Sequence, residues 1–390
     1  MKTVMMTKAD EKNKLSESEV QLEYEEELND LEYSGNNETP SFDMIRVTKK
    51  DFSIYELYRK YKKQQLVLDV EFQRKYVWDT KQKSELIESI LMGLPLPIFY
   101  FKQQNNSTYV VVDGKQRLSA LFDFLDNKFV LKSLKILDFL NGKSFKNLEN
   151  DFGIYQSQLE DYQVYSHVIL PPTPDRIIFD IFDRVNRGGT KLNKQEIRNA
   201  LYHGIGLDMI VNVTKSKAFE NATRIEYAKD SRMKGAYLIT RFLSFYLLLN
   251  GLLYRDGKKY EYTGDSDDLI EAMLIQLNSM DLKTLENLEK LVLKCLEKAS
   301  DIFGRGAFRR GLQESKPINM NIFETTMYLM SLIPDKIVSS KSRVELYNKM
   351  KKITMSEEFE YYIGNSRDNT VKVEGRFKLM KQLFEEVCND

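Results

Sequence analysis

The chain has 390 residues, of which 42% are hydrophobic and 12% aromatic, so it can bury cores for two or three domains. Its formal net charge is zero, but residues 1–45 contain four lysines and twelve acidic side chains, which leaves 54 − 46 = +8 on the remainder. This mildly basic body is compatible with an anionic partner. The two cysteines, Cys295 and Cys388, lie far apart, which excludes a disulfide framework and zinc-binding spacing.

Nothing in the sequence suggests insertion into a membrane. The first residues, MKTVMMTKADEKNK, lack the apolar core of a signal peptide. The longest apolar run, from Phe242 to Tyr254, is too short to span a bilayer and is better explained as a buried helix. We therefore expect a cytoplasmic protein without membrane contact.

The first segment, residues 1–41, is acidic and polar and is predicted to be mostly disordered, with a transient helix at VQLEYEEELNDLEY. A solvated tail explains this composition, and a tail that mimics DNA or docks a partner is the alternative.

Residues 42–200 alternate between helical and extended patterns. The helical patterns include IYELYRKYKK and KSELIESILMG, and the strand patterns include LVLDV, IFYFKQ, YVVV and VYSHVIL. Such alternation of short strands with helices predicts a mixed α/β domain. Residues 201–390 carry long amphipathic patterns such as LITRFLSFYLLL and TLENLEKLVLKCLEKASDIF, which predict a mostly helical domain.

The stretch YVVVDGKQRLSALFDFL, residues 109–125, joins a predicted strand to a predicted helix. Asp113 and Gln116 have the spacing of a capping box. That role leaves Gly114, Lys115 and Arg117 unexplained, because glycine is a poor helix former and cations oppose the dipole in the first turn. Free N–H groups and cations at a helix start favour a phosphate, so this turn is either an anion site or an ordinary helix start.

Two further segments carry arginines without an evident structural role. Gln73 and Arg74 follow the strand LVLDV, although for this segment alone a loop packed by its aromatic residues is the favoured explanation. Asn186 and Arg187 lie where a predicted helix ends at a Gly-Gly pair, and a basic, flexible loop is a candidate for phosphate or DNA-backbone contact. We expect the three segments to converge on one pocket.

Other catalytic signatures are missing from the sequence. The Pro-Asp pairs at 174–175 and 334–335 are not followed by the acid-x-Lys of a metal-dependent nuclease, and there is no Walker loop. No Cys-His pair suits nucleophilic catalysis. The basic stretches 59–63 and 305–310 are candidate contacts to DNA phosphates, although such runs are commonly only solvated faces.

The segments FQRKYVW, LPLPIF, VVVDGKQRLSAL and FDRVNRGGTKLNKQEIRNALYHG, in this order, resemble the N-terminal domain family of GmrSD restriction endonucleases. SRMKGAYLITRFLSF and NSRDNTVKVEGRF extend the likeness to nearly the whole chain from about residue 45. The resemblance implies an α+β fold: a ParB-like and sulfiredoxin-like mixed α/β domain followed by a mostly α-helical domain. The expected domains are a tail at 1–41, a ParB-like nucleotide-binding domain at 42–200 and a helical domain at 201–390.

In this family an Asp-Gly-Gln-Gln-Arg turn is implicated in nucleoside-triphosphate binding and hydrolysis. Here the turn reads Asp113-Gly114-Lys115-Gln116-Arg117, and the lysine in place of the first glutamine puts nucleotide preference and hydrolysis in doubt. The family's full-length enzymes carry a His-Asn-His nuclease domain. This chain has only His167 and His203, which do not make a nuclease pair.

These observations lead to one hypothesis and two alternatives. The hypothesis is a subunit of a bacterial restriction or anti-phage system that binds and hydrolyses a nucleoside triphosphate with Mg²⁺, contacts DNA and acts with a separate nuclease or effector. The alternatives are a ParB-like DNA nickase and a non-catalytic interaction module, and a homo-oligomer is compatible with each.

The hypothesis gives each candidate residue a role. Lys115 and Arg117 would hold the phosphates, Asp113 would bind a divalent cation or orient water, and Gln116 would position water. The catalytic candidates are Asp113, Gln116 and Arg117, and the nucleotide-binding candidates are Gln73, Arg74, Gly114, Lys115, Arg117, Asn186 and Arg187.

Overall fold

The computed structural model describes residues 22–23, 45–68, 78–104, 107–173, 177–178, 181, 193–230, 232–334, 340–364 and 368–388. The chain divides into two compact units. The first, here called the α/β unit, comprises residues 37–192 and 196–201, and the second, the helical unit, comprises residues 1–36, 193–195 and 202–390. The predicted class is confirmed: a mixed sheet with helices is followed by a helical C-terminal region.

Two residues of the acidic N-terminal segment are described, and they form a short strand. Strand β1, Leu22–Glu23, pairs in parallel with Ile318–Asn319, although the sequence predicted a transient helix around these residues. Leu22 is buried in this pairing. The rest of the predicted disordered tail, residues 1–41, lies outside the described residues.

The α/β unit follows the predicted alternation. Its elements are β2 Arg46–Ser53, α1 Ile54–Lys62, β3 Leu66–Val67, α2 Thr80–Leu91, β4 Phe99–Gln103, β5 Tyr109–Asp113, α3 Lys115–Leu125, α4 Phe145–Asp151, α5 Gly153–Asp161 and β6 Gln163–Leu170. Helix α6, Lys194–Leu201, contains the boundary between the two units.

The five strands form one mixed sheet in the order β2-β6-β4-β5-β3. The pairs β2–β6 and β4–β5 are antiparallel, whereas β4–β6 and β3–β5 are parallel. One face of the sheet carries Phe52, Phe101, Val111 and Val168 into a core with the helices. Leu118, Leu121, Phe122 and Leu125 of α3 recur at the spacing that predicts a core-facing helix, and all four are buried.

Strand β2 was not predicted from the sequence. It reads RVTKKDFS, and its first six residues are exposed because β2 lies at an edge of the sheet. An exposed edge strand needs no apolar alternation, so the period-2 signal is missing.

The helical unit is built from long helices with two short strand pairs. Its elements are α7 Ile205–Lys215, α8 Lys217–Thr223, α9 Lys234–Leu249, β7 Tyr254–Arg255, β8 Lys258–Lys259, α10 Ser266–Ser279, α11 Leu282–Phe303, β9 Ile318–Asn319, α12 Met320–Leu332, α13 Ser340–Ile353, α14 Glu357–Ile363 and α15 Thr370–Cys388. None of the described helices combines the length and the apolar character needed to cross a bilayer.

Four buried charged side chains lie inside the helical unit and join three of its helices. Arg241 of α9 contacts Glu324 of α12 at 2.7 Å and Asp368, just before α15, at 2.8 Å. Arg376 of α15 lies 2.6 Å from both carboxylates. It donates a hydrogen bond to Asp368, whereas its ion pair with Glu324 lacks hydrogen-bond geometry. These residues are called the buried charge cluster below.

Candidate functional site

The turn between β5 and α3 has the geometry of a glycine-initiated helix start. Gly114 adopts φ 98° and ψ 11°, and α3 begins with Lys115. The first hydrogen bond of the helix runs from Leu118 N–H to Gly114 O at 2.9 Å. Helix geometry therefore leaves the N–H groups of Lys115, Gln116 and Arg117 outside the intrahelical ladder.

The predicted capping box of Asp113 and Gln116 is wrong. Gly114 occupies the N-cap position, and no side chain caps the helix. Asp113 is instead the last residue of β5, and its Oδ2 accepts a hydrogen bond from Arg117 Nη2 at 2.7 Å. The left-handed glycine moves the helix start one residue later. The Asp113 carboxylate therefore pairs with Arg117, one turn along the helix, and does not cap the free N–H groups of the first turn.

Gly114 is required by close packing as well as by its backbone conformation. A Cβ at this position would lie 2.2 Å from Cδ1 and 2.6 Å from Cε1 of Phe99. The glycine that the local pattern left unexplained therefore has a structural reason, because it lets the turn lie against β4.

We predict that Gly114→Ala destabilises the α/β unit by about 2–4 kcal/mol, because it adds left-handed strain to a clash with the Phe99 ring. Gly93→Ala is the matched control. Gly93 has φ 71°, but a Cβ there would meet no atom within 4 Å, so strain alone should cost about 1–2 kcal/mol. Urea unfolding of both variants measures the difference. Equal losses would show that Phe99 gives way.

Arg117 is held in place by several contacts at once. Besides Asp113, it donates to the carbonyls of Pro97 and Ile98, and its guanidinium lies 4.0 Å from the centre of the Phe99 ring. Its side chain is only 12% exposed. Burial lowers the pKa of Arg117, and the neighbouring Asp113 carboxylate opposes that shift. The arginine therefore joins β5, α3 and the segment before β4.

Gln116 contributes a buried acceptor to the same turn. Its Oε1 is buried and makes no hydrogen bond within the part of the chain that the structure describes. An unsatisfied buried polar atom costs about 1–3 kcal/mol, so it is expected to find a donor such as water or a ligand. Lys115, partly buried beside it, supplies a cation in the first turn.

The structure brings together only part of the predicted site. Asp113, Gly114, Lys115, Gln116 and Arg117 share the turn through their adjacency in the chain. The predicted contributors Gln73, Arg74, Asn186 and Arg187 lie outside the described residues, so convergence of the three arginines stays a prediction.

No cluster of three or more His, Cys, Asp or Glu side chains in the described ranges is arranged to hold a metal ion. Among the turn residues, Asp113 is the one carboxylate, and Mg²⁺ is commonly held by one or two carboxylates together with substrate phosphates.

Two lysines of the basic stretch 59–63 contact neighbouring groups of the α/β unit. Lys62 lies 2.7 Å from Asp126, and Lys60 lies 3.5 Å from Glu56. Both lysines also approach aromatic rings, Lys62 that of Tyr58. These charges support the fold around α1, which weakens the case for them as DNA contacts.

The basic stretch 305–310 has a structural role in the helical unit. Arg309 is buried and donates to four backbone carbonyls, one of them that of Thr223. Arg310 pairs with Glu23 of β1 and with Glu360 of α14. These two arginines therefore tie loops of the helical unit together.

Sequence reasoning missed the buried charge cluster, although two of the quoted family segments contain three of its four residues. Arg241 interrupts the apolar run LITRFLSF, and Asp368 and Arg376 lie in NSRDNTVKVEGRF. A charged residue within an otherwise buried helical stripe is the signal that could have found them, because such charges need partners.

The fold and the turn define a class of domain. It has a mixed sheet packed against helices, and one of its strands ends at Asp-Gly and leads into a helix with cations in its first turn. Residues 54–203 match the family described as GmrSD restriction endonuclease, N-terminal domain. Residues 54–203 are therefore similar to that domain, as the ordered motifs indicated. The family relationship indicates a DNA-acting protein related to restriction and defence. No curated protein and no solved structure matched the chain.

Proposed function

We propose that this chain is the nucleoside-triphosphate-binding subunit of a DNA restriction or anti-phage system. The start of α3 receives the phosphates, Mg²⁺ accompanies them, and a separate nuclease or effector protein acts with this chain on DNA. The family relationship of residues 54–203 supports the DNA-related part. The chemistry of the turn supports the nucleotide part.

The observation that carries the proposal is the buried Oε1 of Gln116 at a helix start, which has no hydrogen-bond partner in the described ranges. The N–H groups of the first turn and the Lys115 ammonium offer donors to phosphate oxygens. An acceptor next to them can take a hydrogen bond from water and orient it toward the terminal phosphorus. Phosphoryl transfer relies on such positioning together with charge neutralisation.

Arg117 and Asp113 act as a pair in this scheme. In the structure, their 2.7 Å contact occupies both groups. An arriving phosphate competes with Asp113 for the guanidinium, because both ligands are anions that accept from the same N–H groups. The released carboxylate can then hold Mg²⁺, so nucleotide and metal bind together.

The contacts of Arg117 also favour a second candidate function. Its bonds to Asp113 and to the carbonyls of Pro97 and Ile98 would serve a non-catalytic interaction module equally well. In that case the turn is only a packed helix start, and nucleotides leave the protein unaffected. A DNA nickase is the third candidate.

We predict that Gln116→Leu separates hydrolysis from stability. The variant removes an unsatisfied acceptor, so folding should be unchanged or more stable by about 1 kcal/mol. Phosphate release should fall about 100-fold while nucleotide affinity is retained. Ser119→Ala, on the same helix, is the control. Unchanged phosphate release in Gln116→Leu would remove the water-positioning role.

The proposal is tested by titrating the full chain with each of the four ribonucleoside triphosphates and Mg²⁺ in a calorimeter. At least one should bind, and Lys115→Gln should weaken binding about 10-fold, whereas Lys81→Gln, an exposed lysine outside the turn, should not. Adding supercoiled plasmid then tests the nickase. Nicking without any nucleotide requirement, or no binding by a folded protein, would contradict the proposal.

A further inference from the structure

Strand β2 is an open edge of the five-stranded sheet. It is eight residues long and pairs with β6 on one side only. Residues 46–51 are all exposed, so no other part of the chain covers the strand there. Edge strands are commonly protected from other chains by being very short, and β2 lacks this protection.

The hydrogen-bond pattern shows which backbone groups of β2 point away from β6. Directly after the strand, Ile54 N–H donates to Tyr162 O at 3.1 Å. In an antiparallel ladder every second residue bonds to the same neighbour, so the even-numbered residues of β2 bond to β6 and the odd-numbered ones turn their backbone groups outward. The outward set is Val47, Lys49 and Asp51.

The outward N–H and C=O groups have no main-chain partner within the ranges that the structure describes. Their one side-chain contact is a long hydrogen bond, 3.4 Å, from the Thr48 hydroxyl to the carbonyl of Lys49. Exposed, unpaired backbone groups of this kind are a template for the addition of a further strand.

The charges of β2 indicate which strand fits. Lys49 and Asp51 lie on the sheet face opposite the core, because Phe52 faces the core and side chains alternate along a strand. A second copy of β2 running antiparallel could oppose Lys49 to Lys49 or Asp51 to Asp51, and both registers place like charges together. The register between them opposes Lys49 to the partner's Asp51 twice, once on each side of the two-fold axis.

Lys50 lies at the axis of this register, where it would stand opposite its own copy. Its Nζ donates to the hydroxyl of Tyr109 at 3.0 Å and lies 5.0 Å from the centre of the Phe52 ring. The ammonium group is therefore drawn over its own sheet and away from the open edge, which separates the two like charges.

We propose that the chain forms a two-fold homodimer by antiparallel pairing of β2 with β2 of a second copy, with Lys49 opposite the partner's Asp51. The pairing joins the two five-stranded sheets into one continuous sheet and adds about six main-chain hydrogen bonds. One strand pair is a small interface, so we expect a Kd of about 1–100 µM. The inference goes beyond the proposed function and does not depend on nucleotide binding at α3.

Sedimentation velocity of the full chain without nucleotide, from about 1 to 200 µM, measures the association. Lys49→Asp and Asp51→Lys each place like charges opposite one another at two positions, so each should weaken the dimer about 10-fold or more. The double variant Lys49→Asp/Asp51→Lys reverses both charges and should restore wild-type association. Lys81→Asp, at an exposed lysine of α2, is the control and should leave association unchanged.

Oxidative cross-linking tests the register. In a Cys388→Ser background, Lys50→Cys should give a disulfide-linked dimer, because opposite residues of a non-hydrogen-bonded pair have Cα atoms about 4.5 Å apart. Lys49→Cys should not cross-link, because its two copies lie farther apart than the roughly 7 Å that a disulfide spans between Cα atoms. The remaining cysteine, Cys295, is buried.

Three results would overturn the inference. A wild type that stays monomeric at every concentration would show that the lysines protect the edge. A dimer that neither single charge variant weakens, or that the double variant fails to restore, would lie on another surface. Cross-linking through Lys49→Cys but not Lys50→Cys would contradict the register. None of these results bears on the proposed function, because the substituted residues lie outside the turn before α3.

Discussion

Asp368→Asn is expected to destabilise the helical unit by about 3–5 kcal/mol at neutral pH, the cost of breaking a buried ion pair by removing one partner. Asp368 lies 2.8 Å from Arg241 and 2.6 Å from Arg376, and both arginines are fully buried. With asparagine in its place, Glu324 would be the remaining carboxylate of the buried charge cluster beside two guanidinium groups. The uncompensated positive charge lies in a region from which water is excluded.

The pH dependence follows from the same contacts. Burial by itself would raise the pKa of Asp368, but the charges of Arg376 and Arg241 hold it well below the usual range. Because the folded-state pKa is depressed, the contribution is present above the unfolded value near about 4 and is lost as pH falls below it. The variant should therefore be less stable than the wild type at pH 7 and approach it in acid.

Urea unfolding at pH 7 measures this loss, with Asp301→Asn as the control. Asp301 also pairs with an arginine, Arg343 at 2.7 Å, but its side chain is 56% exposed. Removing such a surface pair should cost about 0–1 kcal/mol. Similar losses in the two variants would mean that water or rearrangement compensates the buried arginines.

Glu271→Gln is expected to have the opposite effect, a gain of stability that grows as pH rises from about 4.3 to about 8. Glu271 lies buried on α10, and its Oε1 has no hydrogen-bond partner among the described residues. Burial raises the pKa of Glu271 to about 8. The folded state therefore holds the proton more tightly than the unfolded chain, where glutamate titrates near about 4.3.

A raised folded-state pKa fixes the sign of the pH dependence. The contribution of Glu271 to wild-type stability should be greatest below about pH 4.3. The free energy of unfolding should then fall by roughly 4–5 kcal/mol as pH rises to about 8. Glutamine resembles the protonated carboxyl group, so the variant should lack this loss. At pH 9 it should be the more stable protein by several kcal/mol.

Chemical unfolding between pH 5 and pH 9 checks the Glu271 prediction, with Glu286→Gln on the exposed side of α11 as the control. The control should follow the wild-type profile. If the wild type and Glu271→Gln show parallel profiles, Glu271 gains a compensating partner on ionisation, and its burial does not control stability.

Much of the fold could be predicted from the sequence because the elements carry their own periodic signals. The stripe from Leu118 to Leu125 and the strand VYSHVIL are examples. The hairpin β7–β8 was missed because its strands have two residues each, although its Asp256-Gly257 turn, with φ 51° and 76°, has a hairpin signature. Strand β2 was missed because exposure removes the apolar pattern.

The candidate site could be located but not correctly interpreted. The local pattern singled out Gly114 and Arg117 as residues that a capped helix does not need. Tertiary contacts explain why these residues are present. Phe99, on the neighbouring strand β4, leaves room only for glycine at position 114 and stacks on Arg117. Contacts between separate segments leave no trace in local spacing, so the competition between Asp113 and Gly114 for the N-cap could not be decided from the sequence.

The most direct test of the central claim is amide hydrogen exchange in the peptide from Tyr109 to Leu118, with and without each nucleoside triphosphate and Mg²⁺. The account predicts slower exchange at Lys115, Gln116 and Arg117 with at least one triphosphate and no change with the corresponding nucleoside. Unchanged exchange at these amides with all four triphosphates, in a folded protein, would contradict phosphate binding at the start of α3.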